Sequence, residues 1–109
     1  MRLAASLLLL SAAACKGSRV VVTVENAGTE PLESAAIWAT NYTRFLGDIP
    51  PGRTKVDTLL IEGETSITLQ HGNQPRKTLT LIGYVEPGYL DSMRAQVTKD
   101  TVLKVQQWR

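Results

Sequence analysis

Residues 19–109 predict an all-β fold, a small antiparallel β-sandwich of about seven to eight strands. Apolar and polar residues alternate with a period of two in most segments, and many of the apolar residues are β-branched. Turn-forming residues recur about every 8–12 residues, which is typical of sandwiches and barrels. Outside the first residues, no segment shows the sustained apolar stripe of an amphipathic helix.

The first half of this region divides into four strand segments. Residues 20–24 form the first strand and residues 26–31 a turn, in which glycine, asparagine and proline favour a change of direction. Residues 32–40 and 43–49 follow, joined by a turn or bulge. Pro50 and Pro51 lack the backbone N–H that a sheet interior requires, so the chain must leave the sheet there. In the fourth segment, residues 54–61, we expect Val56, Leu59 and Ile61 to face inward.

The second half contains three further turns and four strands. Residues 65–70 and 77–84 are strands, separated by a turn at residues 71–75. Alternation in the second of these strands places Leu79 and Leu81 on one face and Ile82 on the other. After a turn at residues 86–89, residues 92–97 and 101–108 are expected to pair as a closing hairpin.

Residues 1–14 have the order of a secretory signal peptide. Arg2 supplies a positive charge, residues 3–10 are almost wholly apolar, and residues 12–14 are alanines. The apolar run is too short to span a bilayer, which takes roughly 20 residues.

The residues Leu-Ser-Ala-Ala-Ala-Cys at positions 10–15 resemble the lipobox of bacterial lipoproteins, and Cys15 is the only cysteine. The resemblance implies cleavage before Cys15, a diacylglycerol on its thiol, and acylation of its new amino group, for example by palmitate. Residues 15–18 would then be a short lipidated tether and residues 19–109 the sandwich domain. The family prefers Leu where this chain has Ala12, and the alternative is ordinary cleavage that releases a protein with a free thiol. Lipidation explains an unpaired cysteine in a secreted protein.

Lys16 bears on location, because lipoproteins retained in the inner membrane of Gram-negative bacteria carry Asp at this position. The resemblance therefore implies the outer membrane, facing the periplasm, with the inner membrane or secretion as alternatives. The chain has 12 Lys+Arg against 10 Asp+Glu, and Arg2 leaves with the signal. With charges this nearly balanced, the domain has no strong positive potential that would attract nucleic acid. The expected partners are membrane lipid, through acylated Cys15, and an envelope protein.

Two stretches resemble bacterial Ig-like and fibronectin-like envelope modules. Residues 20–28 end in Asn-x-Gly, and residues 46–52 read Leu-Gly-Asp-Ile-Pro-Pro-Gly. The resemblance covers about half of the chain after Cys15. It implies an Ig-like sandwich and no particular activity, because such folds carry many functions.

No catalytic, metal or cofactor site is expected. His71 is the only histidine, and its Gly/Asn/Pro surroundings predict a solvated loop residue. A serine nucleophile would need that histidine as its base, and no Gly-x-Ser-x-Gly motif is present. The ten acidic residues are scattered, and nothing selects a catalytic pair among them.

The aromatic residues leave two functions open. We expect Trp38 and Phe45 to fill the core, since a small sandwich needs its large side chains inside. One function is that of a non-enzymatic protein-interaction or assembly module in the cell envelope, and the alternative is a small carbohydrate- or ligand-binding module with exposed aromatics. The candidates for ligand or partner contact are Tyr42, Tyr84, Tyr89 and Trp108.

Overall fold

A computed structural model describes residues 17–109, and every regular element within them is a β-strand. The predicted all-β sandwich is confirmed. Cys15 and the predicted signal sequence lie outside the described residues. The strands are β1 (Ser18–Asn26), β2 (Leu32–Ala39), β3 (Tyr42–Ile49), β4 (Thr54–Ile61), β5 (Thr65–His71), β6 (Lys77–Val85), β7 (Ser92–Val97) and β8 (Val102–Trp108).

The strands form two four-stranded sheets, with the orders β4-β1-β7-β8 and β3-β2-β5-β6. Among the described strands, the pairings are antiparallel except that of β1 with β7, which is parallel. The predicted closing hairpin is present as the β7–β8 pair. β1 and β2 lie in different sheets, whereas the first two strands of a constant-type immunoglobulin domain share one sheet. Residues 17–109 contain no helix with the length and apolar character needed to cross a bilayer.

The core between the sheets is aliphatic. Period-two alternation sends Val20, Val22 and Val24 of β1 inward, where each is almost fully buried. The opposite sheet contributes Ile37, Ile67 and Leu69 to the same cluster. Burial of such side chains stabilises the fold by roughly 1.5–3 kcal/mol each.

The expectation that Trp38 and Phe45 fill this core is wrong. The Trp38 side chain is 37% exposed and that of Phe45 is 78% exposed. Ile37 and Ala39 face the core, so Trp38 between them must point outward. The buried cluster consists instead of aliphatic side chains and Met93.

Two further facing predictions are also wrong. Val56 is 58% exposed, because Leu59 and Ile61 fix the inward phase of β4 and put position 56 on the outer face. Ile67 of β5 pairs with Ile82 of β6, whereas the next residue, Thr68, pairs with Thr80. The register therefore shifts by one residue at Leu81. This bulge brings Leu81 and Ile82 into the core together.

The register defines two ends of the sandwich. Ser18 pairs with Ile61, and Ser92 pairs with Trp108, so these residues lie at one end of the sandwich. This end also contains the loops at residues 62–64 and 86–91 and is called here the Ser18 end. The other end, called the His71 end, contains the loops at residues 27–31, 50–53, 72–76 and 98–101. The nine residues of β1 span about 30 Å between them.

Asn26 organises the His71 end. Its side chain is fully buried, and Nδ2 donates hydrogen bonds of 2.8 Å to the carbonyl oxygens of Glu30 and Ile49. Its Oδ1 accepts a 3.0 Å hydrogen bond from the backbone N–H of Gly28. One side chain thus satisfies polar groups of three backbone segments that a buried loop would otherwise leave unpaired.

Candidate functional site

The four candidate aromatics all lie toward the Ser18 end. Tyr89 belongs to the loop at residues 86–91, and Trp108 pairs with Ser92. Tyr84 is the penultimate residue of β6. Tyr42 begins β3 after a turn at Thr40, whose backbone N–H donates a 2.9 Å hydrogen bond to Thr65 Oγ1.

Tyr89 and Trp108 are brought into one shallow hollow, which Leu90, Gln107 and Arg109 also line. Their side chains are 43% and 47% exposed. Arg109 Nε donates a 2.9 Å hydrogen bond to the Tyr89 carbonyl oxygen, and its guanidinium lies 5.8 Å from the centre of the Tyr89 ring. That distance allows a cation–π interaction.

Tyr84 and Tyr42 have other surroundings. The Tyr84 hydroxyl donates a 2.9 Å hydrogen bond to a Glu86 carboxylate oxygen. This carboxylate holds the phenol proton and raises the pKa of Tyr84 to about 12. Tyr42 is half-buried and packs against the core. The structure therefore pairs two of the four candidates directly and places the other two near them at the same end.

A second aromatic surface, which sequence reasoning missed, lies on the outer side of the β3-β2-β5-β6 sheet. It is called here the Trp38 face and consists of two neighbouring cross-strand rows. Every side chain in these rows is uncharged, and Phe45 stands on edge strand β3. One row is Thr43, Trp38, Thr68 and Thr80, and the next is Phe45, Ala36, Gln70 and Thr78.

The outward position of Trp38 had a usable signal in the sequence. Ala35, Ile37 and Ala39 form one face of the predicted strand, and they suit a tightly packed core. Trp38 then belongs to the opposite face. In this strand the alternation predicts the facing of Trp38 correctly, and the general tendency of large rings to be buried does not.

Thr68 lies in the centre of the Trp38 face beside Trp38. Its side chain is 8% exposed, and its hydroxyl has no hydrogen-bond partner among the described residues. A buried hydroxyl without a partner costs free energy.

The His71 end carries the third surface, a polar groove between loops. His71 is not a solvated loop residue as expected, but the last residue of β5, and it is only 4% exposed. Its ring points inward because it continues the alternation of Ile67 and Leu69. Its Nε2 lies 2.7 Å from the carbonyl oxygen of Lys99, with which it forms a hydrogen bond. The imidazole is therefore engaged structurally, and its hydrogen bond among the described residues goes to backbone and not to a serine or carboxylate.

Two ion pairs flank this groove. Lys99 Nζ lies 2.8 Å from a Glu30 carboxylate oxygen, and this carboxylate raises the pKa of Lys99. Lys77 pairs with Asp100 and lowers the pKa of that carboxyl. In the part of the chain that the structure describes, no three His, Cys, Asp or Glu side chains are grouped as metal ligands would be.

Comparison with protein-family models, curated proteins and solved structures gives no match to this chain. The candidate surfaces are therefore distinguished by their own geometry. The Trp38 face and the Tyr89–Trp108 hollow expose aromatic rings, whereas the groove beside His71 exposes paired charges.

Proposed function

We propose that this protein is a membrane-anchored lipoprotein that acts as a non-enzymatic protein-interaction or assembly module in the bacterial cell envelope. The lipid on Cys15 holds it at the outer membrane, facing the periplasm. The single observation that carries the interaction role is the uncharged Trp38 face, with Phe45 78% exposed on an edge strand.

The composition of the Trp38 face supports a protein as the partner. The centres of protein interfaces are poor in charge and rich in aromatic residues, and Trp is a frequent energetic anchor in them. The hydroxyl and amide groups of Thr43, Thr80 and Gln70 can supply hydrogen bonds around Trp38 and Phe45. A flat sheet surface of this kind suits another folded surface better than it suits a small enclosed ligand.

Site-specific photocrosslinking in intact cells tests this role. A benzophenone amino acid replaces Phe45 in one strain, and Val56 in a matched control strain. Val56 is also exposed and apolar, but it lies on the outer face of the other sheet. We expect one defined crosslinked protein from position 45, its loss when Trp38→Ala is added, and no such product from position 56. Equal products from both positions, or none from position 45, would contradict the proposal.

The anchor has its own test. Intact-mass spectrometry of the membrane fraction should show a chain that begins at Cys15 and carries the mass of its acyl groups. Two or three acyl chains make such an anchor durable, at about 0.8 kcal/mol per buried CH₂. The Cys15→Ser variant should leave the membrane fraction, and its retention there would refute the lipid anchor.

A second candidate function is favoured by the Tyr89–Trp108 hollow, since sugar rings stack on exposed aromatic faces. In that case Tyr42, Tyr84, Tyr89 and Trp108 contribute to a carbohydrate- or ligand-binding surface. A glycan array should then give a specific signal that is lost when all four are changed to Ser. Binding that survives the fourfold change excludes this surface.

A further inference from the structure

Tyr89, Trp108 and Arg109, which line the hollow described above, form a patch that is hydrogen-bonded to the start of β1 through the neighbouring loop. The backbone N–H of Gly88 donates a 2.8 Å hydrogen bond to Ser18 Oγ. On the other side, the N–H of Asp91 donates a 2.8 Å hydrogen bond to the Trp108 carbonyl oxygen. These bonds fix the patch, called here the Tyr89–Trp108 patch, at a defined position relative to Ser18.

The chain leaves this end of the sandwich very close to Cys15. Gly17 is packed against β4, where an added Cβ would overlap the carbonyl oxygen of Ile61. Two residue steps separate Gly17 from Cys15, and a fully extended chain covers at most about 7 Å in two steps. The headgroup layer on each side of a bilayer is about 5–8 Å thick. An acylated Cys15 therefore keeps the Ser18 end within reach of the headgroups.

The side chains of the patch suit that layer. Tyr and Trp join an apolar ring to a polar group, and both are enriched at membrane–water interfaces. Arg109 can extend its apolar stem along the rings while its guanidinium reaches lipid phosphates. The exposed fractions of Tyr89 and Trp108, 43% and 47%, leave ring surface free for this contact.

The charges of the Ser18 end indicate which lipid headgroups it would contact. Among residues 17–109, the exposed acidic side chains of this end outnumber the exposed basic ones, Arg19 and Arg109. This excess of negative charge does not favour attraction to anionic lipids, so the contact depends on the aromatic rings. The acidic residues are Glu62, Glu64, Glu86 and Asp91.

We propose that the Tyr89–Trp108 patch lies in the zwitterionic headgroup layer of the membrane that carries the anchor. The Ser18 end of the sandwich then contacts the membrane, and the His71 end is directed away from it. The Trp38 face is roughly perpendicular to the membrane plane. The proposal rests on the lipid anchor of the proposed function.

Tryptophan fluorescence can test this orientation, because the chain has two tryptophans, in different places. Full-length lipidated protein is reconstituted into phosphatidylcholine vesicles with or without brominated acyl chains, which quench nearby indoles. Trp38→Phe leaves Trp108 as the reporter, and Trp108→Phe leaves Trp38 as the matched control. We expect a blue shift and quenching for Trp108, and neither for Trp38. Adding Tyr89→Glu to the Trp38→Phe protein should reduce the quenching, while part-replacement by phosphatidylglycerol should not increase it.

The outcomes separate the orientation from the anchor. If the protein lacks acyl mass and does not sediment with vesicles, the anchor fails. If the acylated protein sediments and Trp108 is not quenched, the orientation alone is refuted. Equal quenching of Trp38 and Trp108 also refutes it, because the sandwich then lies on its side. A glycan that shifts Trp108 emission while the lipid does not would assign the patch to ligand binding instead.

Discussion

His71 and Lys99 join the two sheets, because the imidazole Nε2 lies 2.7 Å from the Lys99 carbonyl oxygen. His71 ends β5 in one sheet, and Lys99 lies in the turn between β7 and β8 of the other. A carbonyl oxygen can only accept, so Nε2 must carry the proton. The only histidine of the chain thus serves as a cross-link between layers.

Removing this donor should lower the free energy of unfolding. In His71→Leu the Lys99 carbonyl loses its partner, and we expect a loss of about 1–3 kcal/mol. In His71→Gln an amide N–H can reach a similar position, so part of the stability should return. Urea denaturation followed by tryptophan fluorescence measures both variants. A His71→Leu protein as stable as the wild type would show that the contact contributes nothing.

Asn26→Asp should be among the most damaging conservative changes. The new carboxylate cannot donate to the Glu30 and Ile49 carbonyls, which accept from Asn26 Nδ2 at 2.8 Å. Each buried group without a partner costs about 1–3 kcal/mol, so a loss of at least about 2 kcal/mol is expected. Gln106→Glu makes the same chemical change at an exposed position of β8 and should have little effect. Thermal denaturation of both variants gives the comparison.

Glu25 should make folding stability depend on pH. Hydrogen bonds from Arg94 at 2.6 Å and from Gln96 at 3.2 Å lower the pKa of this carboxyl from 4.5. Its stabilisation is therefore present above pH 4.5 and is lost as the pH falls through the lower pKa of the folded state. Glu25→Gln should be less stable than the wild type at pH 7, and the difference should shrink toward pH 3. A difference that is independent of pH would contradict this assignment.

Phe45 should contribute little to stability. Because its ring is 78% exposed, Phe45→Ser is expected to change the free energy of unfolding by no more than about 0.5 kcal/mol. Ile37→Ala, one strand away and fully buried, should cost about 2–5 kcal/mol. Denaturant titrations of the two variants distinguish a ring kept for contact from one kept for packing. A large decrease in the free energy of unfolding of Phe45→Ser would show that the ring contributes to packing.

Strand positions could be read from the sequence because alternation and turn residues are local signals. The predicted bounds of residues 54–61 and 92–97 coincide with β4 and β7, and Pro50 and Pro51 do end a strand. The local pattern predicts less well which face of the strand a side chain occupies. An inward Val56 is incompatible with inward Leu59 and Ile61, because strand alternation puts position 56 on the opposite face from positions 59 and 61.

Pairing between distant segments could not be predicted from one sequence. No local pattern shows that β1 lies between β4 and β7, or that Trp108 meets the loop of Tyr89. The shift at Leu81 depends on the partner strand, so an ideal alternation assigned Ile82 to the wrong face. The candidate surfaces follow from these pairings, and only their residue types could be seen in advance.

The parallel pairing of β1 with β7 also bears on how the domain is made. Glu25 of β1 lies beside Gln96 of β7, 71 residues later in the chain. β1 therefore gains its second neighbour only when nearly all of the domain is available, and such distant pairings slow folding. Until residues 92–97 are available, one edge of β1 lacks its partner strand, so the sheet that contains β1 is completed last.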